Sequence, residues 1–345
     1  MPFKAQDKAL LEAIRYAGPD LRLMEICGSH TAAISKNGIR SLLGPNIHMI
    51  SGPGCPVCVT VTAYIDKLIE LSENKDTVIL SFGDLLRVPG SNGSLQTAKA
   101  RGADIRMVYS PIECVKLAQA NPEMKFIFAA IGFETTAPVY AALIESALEA
   151  GLNNIRLLTS LKTMPGAVNY LLEKKSNIQG FIAPGHVCAV NGTHIFEELS
   201  RKYSVPFVAA GFSAEQVLMA IAALIRLNGQ PKVLNLYGEA VTRQGNEKAV
   251  YAVHRYFEEG EAVWRGIGEI EASGLYLREE YSDFDAGSRG LIQDNSPDSC
   301  KCGEVIVGEI DSSDCPLFGT VCTPNNPIGA CMVSEEGACF NRYLE

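Results

Sequence analysis

The sequence predicts an α/β protein: two similar parallel-sheet domains followed by a loop-rich C-terminal region. Three observations carry this. Short apolar runs alternate with helical stretches over roughly the first two-thirds of the chain, the pattern of βαβ units. After residue 230 that rhythm fades, and from Ser282 onward Asp, Ser, Gly, Pro and Cys dominate. The chain has 345 residues, 47% apolar and 20% charged, which is ordinary for two or three folded domains.

The elements follow in order. Ala9, Leu10, Ala13, Ile14 and Ala17 share one side of a helix over 5–17, which Gly18-Pro19 stops. Residues 21–26 read as a strand ending at Cys27. Gly28-Ser29-His30-Thr31 makes a turn and N-cap for a short helix that stops at Asn37-Gly38. A second strand, 47–50, runs into Ser51-Gly52-Pro53-Gly54-Cys55-Pro56-Val57-Cys58, and a helix over 61–71 leaves it. Strand 77–82, helix 94–101 and strand 104–109 complete a first domain, 1–120. Asn121-Pro122 breaks the chain there.

In the second domain, 121–230, strand 125–131 ends in Gly132-Phe133-Glu134-Thr135-Thr136, and an amphipathic helix spans 136–150. Strand 155–159 leads to Pro165, placed to start a helix. Strand 178–183 ends in Pro184-Gly185-His186-Val187-Cys188, and strand 206–210 precedes an apolar helix over 214–227. The third region, 231–345, has a helical stretch at 247–259 and short alternation at 267–275. Its tail buries too little apolar surface to stand alone and needs a staple such as a metal cluster.

Charge narrows the function. The net charge is −9 and no Lys/Arg cluster stands out, which argues against a nucleic-acid or anionic-membrane surface. No apolar run reaches the roughly 18 residues of a membrane span. The first residues lack a signal core, so the chain is expected in the cytoplasm. Eleven cysteines in a reducing compartment point to metal or redox chemistry.

Cys55 and Cys58 lie on a Gly/Pro turn between strand and helix, where α/β folds place their chemistry. Such a pair closes a small disulfide, binds a soft metal or passes electrons. Half of a structural zinc site is the plainer alternative. Cys27 ends the first strand and Cys55 follows the second. Adjacent parallel strands would bring Cys27, Cys55 and Cys58 into one cleft. His30 there is a proton donor, a partner or a ligand, or else makes a simple helix-start hydrogen bond. Cys114 reads as a packed thiol, and Cys188 lies near a functional loop.

Six thiols crowd into 300–339, with no His after His254, so all-thiolate ligation is expected. Four thiolates suit a zinc ion or a 4Fe-4S cluster. Cys302, Cys315, Cys322 and Cys339 are the expected ligands, with Gly303, Pro316 and Pro324 shaping the backbone beside three of them. Cys300 and Cys331 are the alternates.

Five motifs, in order, now carry a resemblance. They are Met24-Glu25-Ile26-Cys27-Gly28-Ser29-His30-Thr31, Gly52-Pro53-Gly54-Cys55-Pro56-Val57-Cys58, Gly132-Phe133-Glu134-Thr135-Thr136-Ala137-Pro138, Pro184-Gly185-His186-Val187, and the tail from Cys315-Pro316-Leu317-Phe318-Gly319 to Cys331-Met332-Val333-Ser334-Glu335-Glu336-Gly337-Ala338-Cys339. Nearly end to end, the chain resembles the HypD family of NiFe-hydrogenase maturation factors. The resemblance implies a cleft between the two α/β domains and a C-terminal domain carrying a 4Fe-4S cluster. It implies a metallocentre-assembly scaffold with thiol redox activity, which builds the active-site iron as Fe(CN)2CO. Cys27, Cys55 and Cys58 would bind the iron. A small HypC-type partner would share it through Cys27, and a HypE-type partner would deliver cyanide.

Thiolates suit low-spin iron with such ligands. Cys55 and Cys58 hold iron or cycle between dithiol and disulfide, fed by the tail cluster. Glu134 at its strand end orients His30 or moves a proton, unless it is solvated beside a Thr135 cap. His186 is a cleft donor or a loop hydrogen-bonding group. Cys27, Cys55, Cys58, His30 and Glu134 therefore form the expected catalytic set. The rival readings are a free-standing thiol–disulfide oxidoreductase, whose tail cluster reduces Cys55–Cys58, and a non-redox interaction protein with a zinc-stapled tail.

Overall fold

Strands far apart in the chain combine into two sheets in the computed structural model, which describes residues 11–174 and 176–345. The strands are β1 (Leu21–Glu25), β2 (Ile47–Ser51), β3 (Thr77–Ser81), β4 (Ile105–Met107), β5 (Lys125–Gly132), β6 (Ile155–Lys162), β7 (Gly180–Pro184), β8 (Phe207–Ala210), β9 (Val233–Asn235), β10 (Phe257–Trp264) and β11 (Gly268–Leu277). The first sheet runs β2-β1-β7-β8-β9 and is parallel throughout. The second runs β10-β11-β6-β5-β3-β4. Its β6-β5-β3-β4 part is parallel, and the β10–β11 hairpin adds on antiparallel.

The α/β class and its two parallel-dominated sheets match the sequence reading. The sheets do not follow the expected limits at 120 and 230. β1 and β2 pair with β7, β8 and β9, whereas β3 and β4 join β5 and β6. The chain leaves the first sheet after β2, builds the second, and returns at β7. Periodicity marks a buried strand but carries no information on its neighbour. The region 231–345 is likewise divided. β9 completes the first sheet and β10–β11 extend the second. The helical stretch expected over 247–259 stops at Tyr256, because Phe257 opens β10.

The tail is not a separate unit with its own core. Cys302, Val305, Cys322, Cys331 and Met332 pack into the same apolar cluster as Cys55, Cys58, Tyr64 and Trp264. Two polar tips in that cluster are satisfied, as buried aromatics require. The Tyr64 hydroxyl donates to Leu158 O at 2.7 Å, and Trp264 Nε1–H donates to Ser273 Oγ at 2.8 Å. The helix expected over 5–17 lies partly outside the described residues. Of its described part, 11–17, residues 11–14 are helical and bury Ala13, so the helix ends before the expected 17.

A cleft opens between elements of the two sheets, with a cavity of about 430 Å³. Glu134 after β5, Thr163 after β6 and Glu259 of β10 line one side, and Asn191, Leu199 and Lys202 line the other.

Candidate thiol and metal centre

β1 and β2 run in register, so Glu25 lies beside Ser51 and the two strands stop together. Their turns then meet. Gly52 N–H donates to Glu25 O at 2.8 Å, and Gly28 N–H donates to Gly54 O at 2.9 Å. A Cβ on Gly54 would lie 2.6 Å from the Ile26 carbonyl carbon and would overlap the Cys27 backbone. Only glycine allows this approach. It sets Cys27 against the turn that begins at Cys55.

Cys55 and Cys58 are joined as a disulfide, with Cα atoms 5.3 Å apart, and are 4% and 1% exposed. Cys27 is a free, half-buried thiol. Its N–H donates to Glu25 Oε2 at 3.0 Å, and the Thr31 hydroxyl donates to the other oxygen. Burial pushes the Glu25 carboxyl up to about 7. Burial, and then the nearby Glu336 carboxylate, push the Cys27 thiol up to about 12. Glu336 accepts a hydrogen bond from Ser29 Oγ at 2.9 Å and packs against Gly28. The Cys27 thiol therefore keeps its proton at neutral pH, and the Glu336 carboxyl beside it is itself raised by burial.

His30 is fully buried. Its Nε2 lies 3.0 Å from Gly211 O, and a carbonyl only accepts, so Nε2 carries the proton. Nδ1 is left as an acceptor with no partner among the described residues. Burial lowers the ring's pKa to about 4 and keeps it neutral. The ring packs tilted against Phe212 at 4.6 Å, and Phe212 stacks on His186 at 4.1 Å.

Glu134 lines the cleft and makes no hydrogen bond to His30. Its Oε1 accepts Met164 N–H at 2.8 Å, and its Oε2 has no partner among the described residues. Burial pushes this carboxyl up to about 7. The thiol of Cys188, fully buried in helix Gly185–Asn191, is raised first by burial and then by Glu134 and Cys27. Cys188 thus lies within electrostatic reach of both.

In the tail, Cys302 and Cys331 are joined as a disulfide. Cys300, Cys315, Cys322 and Cys339 are free. They are mutual neighbours: burial and then Cys322 and Cys315 raise the Cys300 thiol, and Cys300, Cys322 and Cys315 all raise Cys339. Ile328 N–H points at Cys322 Sγ from 3.4 Å. A Cβ on Gly329 would lie 2.6 Å from Cys300 Sγ, so this glycine makes room for the sulfur. Among the described residues, no three Cys, His, Asp or Glu side chains are spaced for a single metal ion. Thiolates around one zinc sit only about 4 Å apart. A four-iron cube takes four thiolates, the number of free thiols that neighbour one another here.

The profile described as "HypD: Hydrogenase formation hypA family" matches residues 5–344. Hydrogenase maturation factor HypD of Rhizobium leguminosarum bv. viciae is 44% identical over 341 residues, covering 93% of this chain and 89% of the relative. The HypD of Cupriavidus necator is 44% identical over 340 residues, covering 94% and 90%. That of Escherichia coli K12 is 42% identical over 330 residues, covering 94% and 88%. The chain belongs to the HypD family.

For a HypD protein, the structure brings the backbones of Cys27 and the Cys55 turn together and sets His30 on the helix that Cys27 caps. It gives Glu134 and His30 different hydrogen-bond partners. Of the four expected tail ligands, it leaves Cys315, Cys322 and Cys339 free and pairs Cys302 with Cys331, while Cys300 is free beside the other three. Cys302 opens the helix Cys302–Ile306 and turns inward, whereas Cys300 precedes that helix. Sequence reasoning also missed Glu25 and Glu336. A carboxylate inside an apolar strand was a usable signal for Glu25. Glu336, 307 residues from its partner Ser29, gave none. Among the described residues, no helix of this HypD protein is long and apolar enough to cross a membrane.

Proposed function

We propose that this hydrogenase maturation factor is the cytoplasmic scaffold on which the Fe(CN)2CO centre of a NiFe hydrogenase is assembled. The observation that carries the reading is the meeting of Cys27 with the Cys55 turn at the ends of β1 and β2. The iron is the substrate. Cys27 shares it with a HypC-type partner, and a HypE-type partner delivers the cyanide. Glu336 takes the Cys27 proton as iron arrives, because a metal-bound sulfur must be thiolate. Two electrons and two protons open the Cys55–Cys58 disulfide to two thiols. The pair then holds the iron or returns the electrons, one role at a time, since a disulfide sulfur is a poor ligand. Glu134, with its carboxyl near 7, holds or releases a proton at the cleft at neutral pH.

Cys300, Cys315, Cys322 and Cys339 are the residues that would hold a 4Fe-4S cluster, which when bound supplies single electrons. The Cys302–Cys331 disulfide shares a core with Cys55 and Cys58, which supports a thiol relay between them. The same two disulfides favour the rival reading, a free-standing thiol–disulfide oxidoreductase.

Infrared spectra of the chain purified anaerobically with its small partner test the proposal, since bound cyanide and carbonyl absorb where protein does not. Cys27→Ala should abolish those bands. A Cys27→Ala protein that keeps the bands refutes the scaffold. Wild type without bands that still reduces disulfides supports the rival. Iron content and electron resonance test the ligand set: Cys300→Ser should lose the cluster and Cys302→Ser should keep it.

A further inference from the structure

The β10–β11 turn, residues 265–267, sits between the two thiol regions. Arg265 N–H donates to Val59 O, next to Cys58, at 2.9 Å. Gly266 meets Gly303, next to Cys302, so closely that a Cβ on Gly303 would lie 2.6 Å from the Gly266 carbonyl carbon. A side chain at Gly303 would push the turn away.

The Arg265 side chain is 4% exposed. Both terminal nitrogens donate to Pro89 O at 3.1 Å, and Nε donates to Ser296 Oγ at 2.8 Å. All three bonds go to neutral groups. The Asp294 carboxylate stands 3.9 Å from Nε and is engaged by Gly266 N–H and the Ser296 hydroxyl. Asp66 and Cys300 are the other ionisable groups that act on the guanidinium. A buried cation with so little direct compensation is costly unless further negative charge lies near it. A metal group on four thiolates is such a charge, and Cys300 is one of the four.

We propose that Arg265 is a positioning residue: its side chain anchors the β10–β11 turn to Pro89 and Ser296, and its charge eases reduction of the group held by Cys300, Cys315, Cys322 and Cys339. The proposal rests on reading those four thiols as a cluster site. The guanidinium favours the more negative, reduced state. Arg265 touches no substrate and is not itself a ligand.

The test is a redox titration of the full chain, purified anaerobically, as wild type, Arg265→Met, Arg265→Lys and Asp294→Asn. Iron and sulfide are measured first. Dithionite with mediators then supplies the electrons, and electron resonance follows the reduced cluster. Arg265→Met should move the equilibrium about tenfold toward the oxidised form, a midpoint lower by about 59 mV for one electron. Arg265→Lys should move it less. Asp294→Asn should move it the other way, because the opposing carboxylate is gone. Shifts of opposite sign from neighbouring residues report charge and not packing. An unchanged midpoint in Arg265→Met at full iron content overturns the proposal, and so does a lower midpoint in Asp294→Asn. If Arg265→Met fails to fold, the sign of the Asp294→Asn shift decides. A wild-type chain without iron and sulfide overturns the cluster reading and this proposal with it.

Discussion

Glu134→Gln should remove a pH dependence that one buried carboxyl imposes on the fold. Glu134 is 5% exposed, and burial lifts its pKa from 4.5 to about 7. The folded chain therefore holds that proton more tightly than the unfolded chain does. The associated stabilisation is complete below pH 4.5 and is lost as pH rises through about 7. At about 1.36 kcal/mol per pH unit, the gap amounts to about 3 kcal/mol. Glutamine keeps an oxygen for Met164 N–H and has no proton to lose. Its amide nitrogen inherits the unpartnered oxygen's place, which costs about 1–3 kcal/mol at every pH.

The readout is therefore the stability difference between variant and parent across pH 4.5 to 8.5. The single tryptophan, Trp264, lies 5.9 Å from Phe133 and reports urea unfolding beside Glu134 by fluorescence. The difference should move by about 3 kcal/mol in the variant's favour across that range. His30 acts in the opposite sense: its pKa is lowered from 6.5 to about 4, so its stabilisation is present above 6.5 and lost as pH falls through about 4. It is common to both proteins and cancels. A difference that stays flat with pH would show an ordinary, hydrated carboxylate, and the proton-holding role would fall with it.

Three further outcomes are expected. At pH 8, Cys27 should react with iodoacetamide about a thousandfold more slowly than an ordinary thiol, since the thiolate is the nucleophile and its pKa stands near 12 against 9.0. Glu336→Gln should speed that reaction in mass-spectrometric time courses, and a slower rate would remove Glu336 from its place beside the thiol. Gly54→Ala should force the two turns apart, losing the infrared bands of bound iron while circular dichroism stays unchanged. Retained bands would mean that Cys27 and the Cys55 turn need not touch. Trp264→Ala should cost about 3–5 kcal/mol in urea unfolding followed by circular dichroism, because a fully buried indole leaves a cavity and Ser273 Oγ loses the N–H it accepts. A loss under about 1 kcal/mol would contradict the shared core that joins hairpin and tail.

The sequence by itself determined the α/β rhythm, the strand ends at Cys27 and before Cys55, and the thiol-only character of the tail. These are local properties: side-chain period, Gly and Pro punctuation, and residue type act over a few residues. Only the tertiary structure decided that β1 pairs with β7 and not with β3, that Cys300 and not Cys302 stays free beside Cys315, Cys322 and Cys339, and that Glu336 and Arg265 stand at the thiol regions. Those outcomes depend on which buried faces fit together once the chain has folded back on itself. That selection acts between residues hundreds of positions apart and leaves no periodic trace along the chain.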